Sequence, residues 1–115
     1  MDVMILTKII KFKDKFYDDI INGSKTQTMR MPRSRIDVNP GDQVIGVFKN
    51  KRDVLLQIRK TGYKYFKSIN DHDAELEGFD NAEELKKELL EIYKDYQIID
   101  NNRFYYYQFE FLEVL

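Results

Sequence analysis

Residues 12–30 read Phe-Lys-Asp-Lys-Phe-Tyr-Asp-Asp-Ile-Ile-Asn-Gly-Ser-Lys-Thr-Gln-Thr-Met-Arg. Phe12, Phe16 and Ile20 recur every four residues, with Ile21 beside the last, which is the spacing of one apolar helix stripe. Lys11, Lys13, Lys15, Asp18 and Asp19 fall largely outside it. Asn22-Gly23 ends the helix, because glycine enters the left-handed conformation of a C-terminal cap without steric cost. Lys25 to Arg30 then reads as strand or extended chain.

Outward from this stretch the pattern changes to strands. Residues 3–10 predict a short strand on the N-terminal side. On the other side Met31 to Arg35 is a basic loop, and Asn39-Pro40-Gly41-Asp42 is a strong turn signal. It feeds a strand over Gln43 to Phe48, a polar turn at 49–53 and a second strand over Val54 to Lys60. Residues 68–79 read as an acidic connector. Asp80, with Glu83 three residues later, has the spacing of a capping box and predicts a second helix with Leu85, Leu89, Ile92, Tyr93 and Tyr96 on its apolar face. In the closing strand, Arg103 to Leu112, Tyr105, Tyr107, Phe109 and Phe111 point one way and Phe104, Tyr106, Gln108 and Glu110 the other. The order β, α, several β, α, β with short turns predicts an α+β fold with mostly antiparallel strands. A small closed or nearly closed barrel flanked by two helices buries both strand faces.

The chain has 115 residues, which fit a single domain over 1–115. It has no Cys, which excludes a disulfide framework, a thiolate metal site and a Cys nucleophile. With His72 alone, a multi-histidine metal site is excluded too, and no metal or cofactor is expected. No stretch approaches the ~20 apolar residues of a membrane span. The N-terminal segment lacks the basic and small-residue marks of a signal peptide, so a cytoplasmic location is expected. A monomer is expected rather than an oligomer. The net charge of −1 conceals a split: residues 1–67 carry 15 Lys+Arg and 7 Asp, for +8, and residues 68–115 carry 4 Lys+Arg and 13 Asp+Glu, for −9. Such asymmetry suits an electropositive face for an anionic ligand, or two parts that neutralise each other.

Three groups of residues carry candidate chemistry. Gly23 to Arg30 packs hydroxyls and cations together, and a hydroxyl beside a lysine becomes a nucleophile if burial or neighbouring cations lower the lysine pKa. Residues 25 and 28 face opposite ways in a regular strand, so Lys25 and Thr28 converge only if the chain departs from one. Otherwise they hold ordinary strand positions. Glu77 precedes the second helix and is either a general acid–base group or part of a solvated acidic loop. Arg30, Arg33 and Arg35 suit phosphate, and Tyr63 and Lys64 belong to a basic-aromatic run that suits unpaired bases or, alternatively, a core with snorkelling lysines.

The pattern F-x3-F-x-DDI-x2-G-x-KTxTxR over Phe12 to Arg30 resembles the start of ASCH domains, which belong to the PUA-like superfamily. The Pro40-Gly41-Asp42 turn, the Ala74-Glu75-Leu76-Glu77-Gly78-Phe79 stretch before a helix, and the strand ending Phe109-Glu110-Phe111 extend the likeness over almost the whole chain. Residues 31–67 depart from it. The resemblance implies a small PUA-like barrel and a basic cleft for RNA or a modified nucleoside. Small stand-alone members, the bacterial N(4)-acetylcytidine amidohydrolases, use a Lys, a Thr three residues later and a Glu. These correspond to Lys25, Thr28 and Glu77. The resemblance thus implies an amidohydrolase, with a non-catalytic RNA-binding module or an RNA-cleaving enzyme as the alternatives.

Overall fold

Alternating apolar residues in the second half of the chain place two long strands at the centre of the molecule. The structure, a computed structural model, describes residues 8–115. The part of the first strand expected over 3–7, and the segment read as no signal peptide, lie outside the described residues. Strands are β1 (Lys8–Lys11), β2 (Gln27–Arg30), β3 (Gln43–Val47), β4 (Val54–Tyr65) and β5 (Arg103–Val114). Helices are α1 (Tyr17–Asn22), α2 (Asp71–Glu77) and α3 (Ala82–Ile92). The sheet order is β1-β3-β4-β5-β2, with β1 and β3 parallel and every other pairing antiparallel.

β5 feeds two cores because its side chains alternate. Tyr107 and Phe109 join Ile10, Val44, Leu56 and Ile58 on one face, with Ile20 of α1 packed there. Phe104 joins Met29, Ala74, Leu85 and Leu89 on the other, under α2 and α3. The two-way alternation expected of this strand is borne out.

Three expectations need correction. Phe12 is not helical. Its N–H donates to Val47 O at 3.0 Å, continuing the β1–β3 ladder, and its ring stacks on Phe48. The core claims it as the next inward residue after Ile10, so helical structure waits for one 3₁₀ turn at Asp14–Phe16 and then α1. Gly23 does cap α1 at φ 84°. The supposed acidic connector contains α2, so three helices accompany the sheet instead of two. Its start was encoded: Asn70 and Asp73 form a reciprocal capping box, and Gly78 closes the helix at φ 88°. α3 begins one residue later than expected, capped by Asn81 accepting from Glu84 N–H, and Ile92 and Tyr96 are exposed beside a buried Tyr93.

The barrel is open. β1 and β2 are both edges, and no ladder joins them among the described residues. A side chain spans the seam: Arg30 of β2 donates from Nη2 to Lys11 O at the end of β1, at 2.6 Å. Among the described residues, no helix is long and apolar enough to cross a membrane.

Gly46 of β3 is buried where a Cβ would stand 2.8 Å from Val54 Cγ2 and 3.3 Å from both Leu56 and the Phe12 ring. Gly46→Ala is therefore expected to destabilise the fold by about 1–3 kcal/mol through overpacking. Urea unfolding should show a lower midpoint at unchanged slope.

Candidate functional site

The seam between β1 and β2 opens into a cavity of about 120 Å³. Phe12 and Lys13 follow β1 on one side. Lys25, Thr28 and Arg30 come from β2 and its approach, Glu77 from the end of α2, and Glu88 and Leu89 from α3. Lys25, Thr28 and Glu77, singled out in the sequence, thus line one cavity together with Arg30.

The chain puts Lys25 and Thr28 on the wall of one cavity by starting the strand late. β2 begins at Gln27, and the preceding N–H groups turn elsewhere: Lys25 to Asp19 O at 2.9 Å and Thr26 to Leu76 O at 2.7 Å. The second bond ties the start of β2 to the end of α2, which places Glu77 against Lys25. Lys25 Nζ donates to Glu77 Oε1 and to Glu77 O, both at 3.1 Å, and lies 4.5 Å from the Phe16 ring centre. Both residues are only 3% exposed. Among the described residues, Glu77 Oε2 is buried without a hydrogen-bond partner in range, although the Gln27 side chain lies close enough to favour the charged carboxylate. Thr28, 5% exposed, accepts at Oγ1 from Arg30 Nε at 3.1 Å.

Burial dominates the electrostatics. It pulls the Lys25 ammonium below the usual lysine range, against the attraction of Glu77, and the nearby Arg30 cation pushes the same way. It raises the Glu77 carboxyl, with Lys25 opposing. Both partners are drawn toward their neutral forms across one 3.1 Å contact.

The backbone N–H groups near Gly23 are unsuitable as an oxyanion hole, contrary to a natural expectation for a glycine turn. Gly23 N–H goes to Ile20 O, and Ser24 N–H to Asn22 Oδ1. The donors that face Thr28 belong to Arg30, whose guanidinium burial holds below the usual arginine range.

The other sequence candidates lie elsewhere. Lys64 Nζ pairs with Asp73 Oδ2 at 2.7 Å and so anchors the capping box of α2. Arg33 rests on Tyr96, 5.4 Å from the ring centre, with Nη1 donating to its hydroxyl. Arg35 and Tyr63 line a second groove. Gln27 and Glu88 were not singled out in the sequence, and Phe16 was read only as part of a helix stripe and of a motif, without a role at a site. Gln27, 1% exposed, donates to Asp73 Oδ1 and accepts from Gln108. Glu88 takes Lys13 and Lys15 across the rim of the cavity. Only the cation-rich start of the chain hinted at such a partner. Every ion pair among the described residues joins a cation of residues 1–67 to an acid of residues 68–115. Among the described residues, no group of three or more His, Asp or Glu side chains gathers to hold a metal.

Removing one partner of the buried pair is expected to cost about 3–5 kcal/mol, since the other charge is stranded. The sign with pH differs between the two variants. In Lys25→Met the carboxyl pKa rises further, so stability present below the free-carboxyl value is lost as pH rises through the folded one. In Glu77→Gln the lysine pKa falls further, so stability grows as pH rises. Melting temperatures at pH 5 and pH 8 should move in opposite directions, and the double variant should recover part of the loss.

No family model and no curated protein matches the sequence. Solved structures do match. A protein of Enterococcus faecalis V583 from the DUF984 family superposes with a TM-score of 0.76 at 14% identity, over 97% of this chain and 80% of that one. The ASCH domain from Lactobacillus crispatus JV V101 gives 0.70 at 11% identity, over 90% and 79%. The hypothetical protein PH0355 gives 0.71 at 17% identity, over 93% and 100%. At these identities the likeness is one of fold, and on it the chain shares the α+β architecture of these structures, the ASCH domain among them, as an open five-stranded barrel with helices beside its seam.

Proposed function

We propose that this protein is an amidohydrolase that removes an acyl group from the exocyclic amine of a modified cytidine, with Lys25, Thr28 and Glu77 as catalytic residues. The observation that carries this reading is the buried Lys25–Glu77 pair with one carboxylate oxygen unpartnered, in the same cavity as a threonine whose hydroxyl already accepts from an arginine. A buried polar atom without a partner is costly, and a ligand donor such as an amine or water satisfies it.

The chemistry follows from the donors and acceptors. Arg30 Nε occupies one lone pair of Thr28 Oγ1, which leaves the hydroxyl hydrogen to point at a base. Neutral Lys25 takes that proton as Oγ1 bonds to the acyl carbon. The remaining N–H groups of Arg30 stabilise the tetrahedral oxyanion. The carbon–nitrogen bond then breaks, and the leaving amine takes the proton from Lys25. Glu77 holds the lysine in place and relays protons through the 3.1 Å contact. Water then attacks the ester carbon and gives a proton to Lys25, which passes it to Thr28 Oγ1 as the carbon–Oγ1 bond breaks; the carboxylic acid leaves and Lys25 is neutral again. Phe12, Phe16 and Leu89 supply the apolar wall that keeps the lysine poorly solvated.

Incubation with N(4)-acetylcytidine, followed by absorbance, should release cytidine. Thr28→Ala and Lys25→Ala are each expected to lower kcat/KM by roughly 10²–10⁴-fold. The wild-type rate should rise with pH through a pKa below that of free lysine, because the neutral amine is the base. Wild-type release no faster than that of Thr28→Ala would overturn the proposal.

A further inference from the structure

The chain entering β2 runs beside α2 in the opposite sense, tied to it by the bond from Thr26 N–H to Leu76 O. Two residues of extended chain advance about 6.8 Å and four residues of a helix about 6 Å, so the two elements meet rung for rung. Lys25 meets Glu77 on one rung. Gln27 meets Asp73, four residues earlier on α2, on the next. Asp73 and Glu77 are both buried. Two acids at this helical spacing repel each other, and burial removes the water that would screen them. Each has its own cation: Lys25 for Glu77, and Lys64 of β4 for Asp73. Gln27 stands between the two pairs.

The orientation of the Gln27 amide is set from both ends. Its Oε1 accepts from Nε2 of Gln108, the β5 residue it pairs with in the sheet, at 3.1 Å. Its Nε2 faces Asp73 Oδ1 at 3.4 Å. An amide nitrogen carries two hydrogens, and the second is the donor that lies near Glu77 and favours its carboxylate. A glutamine so placed offers one hydrogen to each acid and adds no charge. An apolar residue would leave the two carboxylates without a donor between them, and a charged one would unbalance two cations and two anions. Other charged groups stand around Glu77. Arg30 and Glu88 line the same cavity, with Glu88 taken by Lys13 and Lys15. Asp19 of α1 lies beside the Gly78 turn.

We infer that Gln27 is a positioning residue of the cleft: its amide holds the Glu77 carboxylate ionised against Lys25 and joins it, through Asp73, to Lys64 at the surface. The inference rests on the proposed function only for its effect on turnover, because the charge of Glu77 is a property of the protein without substrate. The amide opposes the desolvation of Glu77 alongside Lys25 and Arg30. Without that donor the carboxyl keeps its proton to higher pH. A protonated Glu77 no longer attracts the ammonium, so Lys25 in turn releases its proton at lower pH, and the two titrate as one coupled pair. The lysine is then neutral more often and aimed less well.

The test is a carbon-13 NMR titration of the Glu77 carboxyl in the full chain, assigned through bonds to its backbone amide. Gln27→Met keeps the length of the side chain and removes its donors. The Glu77 midpoint in this variant is expected about one pH unit or more above the wild-type value, the worth of one hydrogen bond to a charged group. With N(4)-acetylcytidine, kcat should fall about 10- to 100-fold at little change in KM, and the midpoint of its rise with pH should move down. A role in packing alone would lower kcat without moving either midpoint. Gln108→Leu, at a half-buried position, serves if Gln27→Met does not fold. It frees the Gln27 amide to turn and should raise the Glu77 midpoint by a smaller step. A Glu77 midpoint unchanged by both substitutions overturns the inference. A midpoint that moves, in a protein that releases no cytidine, leaves Gln27 in its role and removes the hydrolase. Release of cytidine with an unmoved midpoint does the reverse.

Discussion

The contact between Lys25 and Glu77 joins the two oppositely charged parts of the chain at their most buried point. An ammonium that is 3% exposed has to be matched, and the only carboxylate within ion-pair reach among the described residues comes from the end of α2. That end is fixed independently by the bond from Thr26 N–H to Leu76 O. The start of β2, the close of α2 at Gly78 and the floor of the cleft are therefore one construction. The left-handed turn at Gly78 is part of it, since the position of its missing Cβ lies 3.6 Å from Lys25 Cβ. A different residue there would strain the turn that aims Glu77.

An open seam is what gives this construction access to a ligand. A five-stranded sheet with two long central strands could close by pairing β1 with β2, and full closure would remove both edges. Here, among the described residues, the Arg30 side chain bridges the gap. The same guanidinium bonds Thr28 Oγ1, so the residue that holds the barrel together also polarises the candidate nucleophile. Stability and chemistry are coupled at one side chain. Substitutions of Arg30 would therefore confuse the two, which makes Thr28 and Lys25 the more informative positions.

Much of this was legible in the sequence, for physical reasons that differ by element. β5 was legible because a run dense in aromatic and β-prone residues, apolar on both faces from Phe104 to Tyr107 and alternating with polar residues from Gln108 to Phe111, leaves few other arrangements. α1 was only half legible: Phe12 sits four residues before Phe16, and that spacing fits a helix as well as the inward side of a strand following Ile10. α2 was missed because its acid density suggested a solvated loop, although Asn70, Asp73 and Gly78 carried its boundaries. Lys25, Thr28 and Glu77 emerged from a motif likeness, while their convergence depended on where β2 begins, a matter of hydrogen bonds to Asp19 and Leu76 that no local spacing encodes. The role of Lys64 was illegible for the same reason, since its partner Asp73 belongs to the missed helix.

The pairing of cations from the first 67 residues with acids from the last 48 has a consequence for synthesis. The ribosome releases a segment with an excess of eight positive charges before any of those partners exists. β3 and β4 can pair at once, because their contacts are local and apolar. Lys25 has to stay hydrated until Glu77 emerges, and the central sheet stays without β2 until β5 has been made. The cleft is thus assembled late, once β5 has been made, and a nascent chain halted midway would be a polycation without its acidic partners.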